Sequence, residues 1–428
     1  MTTLLMATTV RESESFLLAV LLELAVIIAA ARVGAWLFAR LGQPQVVGEI
    51  AAGLLLGPSL LGRISPDLFQ RVFPDSTSIN SSLKVLSELG LVFLMFLIGL
   101  EFDFGHVRKL GRVAARVSIA GIVLPFALGL ALGFVMFPYV GDHVSRTGFI
   151  LFMAVCMSIT AIPVLGRIMI ELNLTRTRLG ALTITAAAVD DAVGWTLLAT
   201  ISAIVAGNFD LLATARMLAL TAVFAISVFL LVRPLLIRWI CHVQAGESRE
   251  LSVAALAMLI VLILLAAIAT NLIGVFSIFG PFVLGASLWD QREFRDAVVR
   301  RLRDFVTAFF LPIFFTYTGL RTNVALLDTP LLWFFCGLVL AAAIAGKTMG
   351  CGLAARSGGL SWRESGCVAT LMNTRGLMEL IAINVGRELG VIPDSVFCML
   401  VMMTLVTTLM TAPILRRLLV GMRLEAVP

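Results

Sequence analysis

Ser158-Ile159-Thr160-Ala161-Ile162-Pro163 and Asn373-Thr374-Arg375-Gly376 each interrupt the centre of an apolar run long enough to cross a bilayer. Proline removes a backbone donor and clashes with the preceding turn. In the second stretch a glycine beside a polar cluster weakens the helix in a similar way. Counting outward in units of about 20 apolar residues, the chain reads as thirteen spans: 16–39, 44–62, 83–101, 114–137, 147–169, 179–206, 212–237, 250–269, 272–289, 304–320, 329–355, 364–386 and 394–415. The interruptions fall in the fifth and twelfth. An odd offset of seven gives the two halves opposite orientations in the membrane. The expected fold is therefore an all-α polytopic membrane protein with two inverted six-helix repeats, 16–206 and 250–415, joined by a linker helix at 212–237. Broken helices at matching positions of two halves point to a transport site near the bilayer midplane.

Composition supports this reading. Of 428 residues, 60% are hydrophobic and 14% charged, against about 25% charged in soluble domains. The net charge of +6 would suit a nucleic-acid partner, but the basic residues sit between apolar runs and read as topology signals instead. Loops on one side carry 20 Lys and Arg, counting those at span ends, and the other side carries 7. By the positive-inside rule this puts the N-terminus outside and the C-terminus in the cytoplasm. Six cysteines lack metal or disulfide spacing and read as buried small hydrophobes. Three histidines lie far apart in expected loops. The first span has no basic leader with a cleavage site, so it is expected to be retained.

Ionisable side chains inside spans are costly and mark function. Asp190 and Asp191 lie at the middle of the sixth span, in Ala186-Ala187-Ala188-Val189-Asp190-Asp191-Ala192-Val193-Gly194-Trp195. Neighbours on a helix point about 100° apart, so the two cannot share one environment: one can face a water-filled cavity, the other a neighbouring helix. Lys347, among small residues in the eleventh span, is the expected partner, either as a plain structural bridge or as part of a proton-linked pair. Burial and pairing act in opposite directions on such a pair, so it can be poised near cellular pH. Arg375 and Glu379, four residues apart, share a helix face and read equally as a structural ion pair or as part of a cation route. Ser158, Thr160 and the carbonyls freed by the break are oxygen donors suited to Na⁺ or K⁺, and Asp190 or Arg375 can offset the partial charges of the half-helix ends. Glu49 and Glu88 read as packing or lining residues.

Three stretches resemble a known family: Ser158-Ile-Thr-Ala-Ile-Pro-Val-Leu-Gly-Arg-Ile through Asp190-Asp191, Gly42-Gln-Pro-Gln-Val-Val-Gly-Glu49 through Pro58, and Asn373-Thr-Arg-Gly-Leu-Met-Glu-Leu380. Their order and placement are similar to those of the second family of monovalent cation:proton antiporters, which holds bacterial sodium/proton exchangers, Kef-type potassium efflux systems and plant cation/proton exchangers. The resemblance runs from about residue 16 to 415. It implies a thirteen-helix homodimeric antiporter with a six-helix core domain and elevator-like alternating access. It also implies Asp191 as the shared cation and proton carboxylate, with Thr160 in the first crossover and Asn373, Thr374 and Arg375 in the second. Lys347 matches the lysine that pairs with the preceding carboxylate, Asp190. Kef-type relatives usually carry Gln-Asp here and a C-terminal nucleotide-sensing domain. This chain has Asp-Asp and is expected to have no such domain.

The expected activity is exchange of Na⁺, or of K⁺ or Li⁺, for H⁺ in the cell (inner) membrane, with Asp191 and Thr160 at the ion and no cofactor. A proton-coupled symporter or cation channel on the same scaffold is the alternative. An intramembrane aspartyl protease also buries two aspartates, but its carboxylates must face one another to share a proton, which adjacent residues on one helix cannot do.

Overall fold

The computed structural model describes residues 2–74, 77–101, 111–141, 143–160, 164–165, 168–169, 172, 174, 177–206, 210–244, 251–420 and 422. In chain order the helices are α1 (Thr2–Arg40), α2 (Gln45–Leu56), α3 (Leu61–Ile64), α4 (Pro66–Val72), α5 (Thr77–Glu101), α6 (Arg112–Val140), α7 (Arg146–Ser158), α8 (Arg178–Ala206) and α9 (Leu211–Ser227). After a π turn at Val228–Val232 come α10 (Arg233–Gln244), α11 (Val253–Ile273), α12 (Phe279–Ala286) and α13 (Arg292–Phe305). A second π turn, Val306–Phe310, leads into α14 (Leu311–Leu320), followed by α15 (Pro330–Ser357), α16 (Trp362–Met372), α17 (Leu377–Glu388) and α18 (Asp394–Leu419).

Among the described residues, nine helical stretches are long and apolar enough to cross a membrane. They coincide with the first four, the sixth to eighth, the eleventh and the thirteenth expected spans. Shorter helices occupy the other four. The fifth is helical as α7, ending at Ser158 with Ile159 in an extended conformation; Ala161, Ile162 and Pro163 lie outside the described residues. The twelfth is split into α16 and α17 around Asn373–Gly376.

Three expected boundaries are corrected. The eighth span continues to Ile273, where Gly274 adopts a left-handed conformation (φ 97°) that caps the helix, a geometry only glycine reaches without strain. The ninth is consequently reduced to the short α12. The tenth starts earlier than expected, because the arginine-rich segment before it is the helix α13. Its buried Phe294, Ala297, Val298 and Leu302 recur at helical spacing, and it runs through the π turn into α14. Each π turn is followed by a proline, Pro234 or Pro312. A proline ring clashes with the carbonyl four residues back, which here is Leu230 or Ala308. Both lie in the widened turns, so the π geometry accommodates the ring without breaking the helix.

The helices pack in two groups, α1, α2, α5, α12 and α14 in one, α6, α7, α8, α15, α16 and α18 in the other. Paired glycines set the first. A Cβ at Gly34 would collide with the Gly48 carbonyl, and one at Gly53 with the Thr316 carbonyl. Small residues let membrane helices approach to backbone contact, which is how α2 wedges between α1 and α14.

Candidate ion site

Four helical segments converge on one buried carboxylate. Asp190 on α8 and Lys347 on α15 form an ion pair, Nζ to Oδ2 2.9 Å, with both side chains fully shielded. Thr160, just past the end of α7, sits between them. Its hydroxyl accepts from Lys347 Nζ at 2.6 Å and lies 3.0 Å from Asp190 Oδ2. The other carboxylate oxygen accepts from Ser118 Oγ on α6 at 2.6 Å. A buried ion pair offsets its desolvation only when the remaining lone pairs and protons are also satisfied, and here Ser118 and Thr160 supply those bonds. Gly121 keeps α6 close: a Cβ there would press on Cys351 Sγ at 2.5 Å and lie 3.7 Å from Asp190 Oδ2.

The two helix breaks meet beside this cluster, and each segment caps the other. The last carbonyls of an α-helix lack intrahelical partners and carry the negative end of its dipole. Arg375, between α16 and α17, donates through Nη1 to the Cys156 carbonyl (2.8 Å) and through Nη2 to the Met157 carbonyl (2.7 Å), at the C-terminus of α7. In return, the Thr160 hydroxyl lies 3.3 Å from the carbonyl of Met372, the last residue of α16. Arg375 Nη1 also pairs with Glu379 Oε1 at 2.9 Å, both fully buried. Glu379 stands in the first turn of α17, where a negative charge is favoured. Arg375 and Glu379 thus form an ion pair that is also tied to the C-terminus of α7.

The remaining residues fall as follows. Asp191 is buried one residue along α8 from Asp190. The Ser158 hydroxyl donates to Val155 O at 2.9 Å, back onto its own helix. Asn373 is the buried C-cap of α16, and Thr374 Oγ1 lies 3.4 Å from Thr411 Oγ1. Among the described residues no cluster of three His, Cys, Asp or Glu could hold a metal ion. Ser118 was not expected: one serine in an apolar helix has no distinguishing pattern, and the close approach of α6 to α8 gives it a role.

Two cavities open at opposite ends of α5 and α17. One, of about 250 Å³, is lined by Arg32, Glu49, Leu94, Arg303 and Leu377. The other, of about 200 Å³, is lined by Lys84, Glu88, Asn271, Asn384 and Glu388. Glu49 and Glu88 are thus lining residues. Neither aspartate contributes to either of these two walls. Asp190 faces the neighbouring helices α6 and α15.

Long apolar helices, two interrupted helices clasped at their broken ends, and a shielded carboxylate–ammonium pair beside a second aspartate define a polytopic membrane transporter. The sequence profile described as "Sodium/hydrogen exchanger, transmembrane" matches residues 27–421, and the chain belongs to that family. It is 41% identical over 403 residues to the Na⁺/H⁺ antiporter NhaS4 of Synechocystis, covering 93% of this chain and 96% of that one. It is 38% identical to cation/H⁺ antiporter 18 of Arabidopsis thaliana and 31% identical to K⁺/H⁺ antiporter 1 of Saccharomyces cerevisiae. There the match covers 92% and 88% of this chain but only 48% and 44% of those proteins. The fold matches the sodium proton antiporter MjNhaP1 of Methanocaldococcus jannaschii with a TM-score of 0.65, at 17% identity, covering 95% of this chain and 98% of the other.

Proposed function

We propose that the protein exchanges a monovalent cation, Na⁺ or alternatively K⁺ or Li⁺, for H⁺ across the cell membrane. The observation that carries this reading is the shielded Asp190–Lys347 bridge, 2.9 Å long, one residue from buried Asp191 and beside the crossing of two broken helices. In this mechanism Asp191 binds either the cation or a proton and is exposed alternately to the two sides. Asp190 binds or releases a second proton as its bridge to Lys347 breaks and forms, so that each cycle moves net charge. Thr160 touches both partners of the bridge and so senses its state. The cavities at opposite ends of α5 and α17 support access from each side in turn. The relatives that carry the names of sodium, potassium and general cation antiporters support the class of cargo without selecting the ion. The reading includes thirteen crossings in two inverted repeats, a homodimer, an outside N-terminus and a cytoplasmic C-terminus.

The test is transport in proteoliposomes with an internal pH dye and an acid interior. External Na⁺, K⁺ or Li⁺ is expected to alkalinise the lumen, and Asp191→Ala to abolish the response. Acidification of the lumen on adding the cation would indicate symport, and cation flux without coupling to pH would indicate a channel.

A further inference from the structure

On the outer wall of the helix group that holds Asp190, a crevice of about 400 Å³ lies between α15, α16 and α18, within the roughly 300–1,000 Å³ of ligand pockets. Met349, Leu353, Trp362, Ala369 and Leu418 form its apolar wall. Glycines open it, since a Cβ at Gly352 or Gly366 would meet nothing closer than 3.4 Å. Met349 and Leu353 are each 54% exposed and Trp362 67%. On membrane-crossing helices such side chains face acyl chains, and a tryptophan at a helix end marks the interface.

The polar groups of the wall are unequal. Thr370 Oγ1 donates to Gly366 O at 2.8 Å, and Thr348 Oγ1 donates back to Ile344 O. The Ser365 hydroxyl, by contrast, is buried and has no hydrogen-bond partner among the described residues. A buried hydroxyl without a protein partner leaves a donor free for a ligand or a water, and this one stands one turn inside the membrane end of α16. Basic residues surround that end. The Arg356 guanidinium lies 5.4 Å over the Trp362 ring, exposed Arg363 follows Trp362, and exposed Arg417 precedes Leu418. Glu364, the acidic side chain at this end of α16, is engaged by the Ser361 backbone N–H at 2.7 Å.

We propose that this crevice binds one acyl chain of an anionic phospholipid. The lipid comes from the leaflet on the arginine side, cytoplasmic in the orientation given above. Its ester carbonyl accepts from Ser365, and its phosphate faces Arg356, Arg363 and Arg417. Basic pockets between membrane helices recognise anionic headgroups in this way. The walls α15 and α16 run on to Lys347 and Asn373, so the lipid braces the two helices behind the ion site.

The full chain, reconstituted in phosphatidylcholine vesicles with a trace of phosphatidylglycerol carrying a photoreactive acyl chain, tests this by mapping crosslinks. Crosslinks are expected in residues 348–353 and 362–370, competed by unlabelled phosphatidylglycerol and not by phosphatidylcholine. Gly366→Leu, which fills the crevice, is expected to remove them while labelling of the exposed face of α11 persists. Arg363→Gln is expected to lower them about fivefold and keeps the test decisive if Gly366→Leu does not fold. Equal competition by phosphatidylcholine, labelling unchanged in Gly366→Leu, or a crosslink from the crevice to a second copy would overturn the proposal. None of these readouts depends on antiport.

Discussion

Ser118 and Arg375 each complete a buried group that has no alternative source of hydrogen bonds in water. Ser118→Ala takes the 2.6 Å donor from a shielded carboxylate oxygen. An unsatisfied buried acceptor costs about 1–3 kcal/mol, so the unfolding midpoint in detergent is expected to fall, and Ser118→Thr to retain most of it. An unchanged midpoint in Ser118→Ala would mean that another donor takes its place. Arg375→Ala strips one partner from a buried pair, a loss of about 3–5 kcal/mol in comparable cases, and also uncaps α7. Arg375→Ala with Glu379→Gln should recover part of the loss, because the stranded charge is gone, and the same denaturation series measures it. No recovery would mean that the carbonyl caps at Cys156 and Met157 carry the whole effect. At this scale the sequence singles out Asp190, Asp191 and Lys347, since a charge in an apolar run is conspicuous. Besides Glu379, the partners of Arg375 are carbonyls, which have no sequence signature, and so its capping role emerges only when the two breaks are brought together.

Among the elements, the breaks at Ser158 and Asn373–Gly376 are legible because proline, glycine and polar residues interrupt hydropathy. The π turns are not, since nothing in Val228–Val232 or Val306–Phe310 differs from ordinary helix until the following proline is placed in three dimensions. Nor is α13 legible, because its arginines mimic a loop while its buried stripe is only four residues deep. The glycine crossings show in the sequence only as abundant glycine; which pairs meet is a property of the packed helices. Replacing Gly53 by leucine drives a side chain into the Thr316 carbonyl. Overpacking costs about 1–3 kcal/mol or more where the backbone cannot give, so the variant is expected to lose thermal stability relative to Gly366→Leu, which has room. Equal stability of the two would show that α2 and α14 do not depend on backbone contact.

For the whole molecule, Lys84 on α5 reaches Glu388 on α17 at 3.4 Å, beside the 200 Å³ cavity. Lys84 is 44% exposed on its side chain and Glu388 22%, and such a pair is worth at most about 1 kcal/mol. Lys84→Gln is therefore expected to leave the unfolding midpoint nearly unchanged, and a drop as large as that of Arg375→Ala would reveal burial in the membrane that the exposure does not reflect. In the proposed orientation the end of α18 is cytoplasmic. A cysteine at Val420 should react with an impermeant thiol reagent only when inverted membranes or permeabilised cells are used. Reaction in intact cells would reverse the topology and, with it, the leaflet proposed for the bound lipid.

The account stands most directly on what the Asp190–Lys347 bridge does beside Asp191. The measurement is the initial rate of cation-driven alkalinisation in proteoliposomes under an imposed membrane potential, for the native chain and for Asp190→Asn. A carried charge is worth about 2.3 kcal/mol per 100 mV, so native exchange is expected to follow the potential, while Asp190→Asn exchanges at a rate the potential does not change. A transport-dead Asp190→Asn that is correctly folded, or one as voltage-dependent as the native protein, would contradict the role given to the bridge.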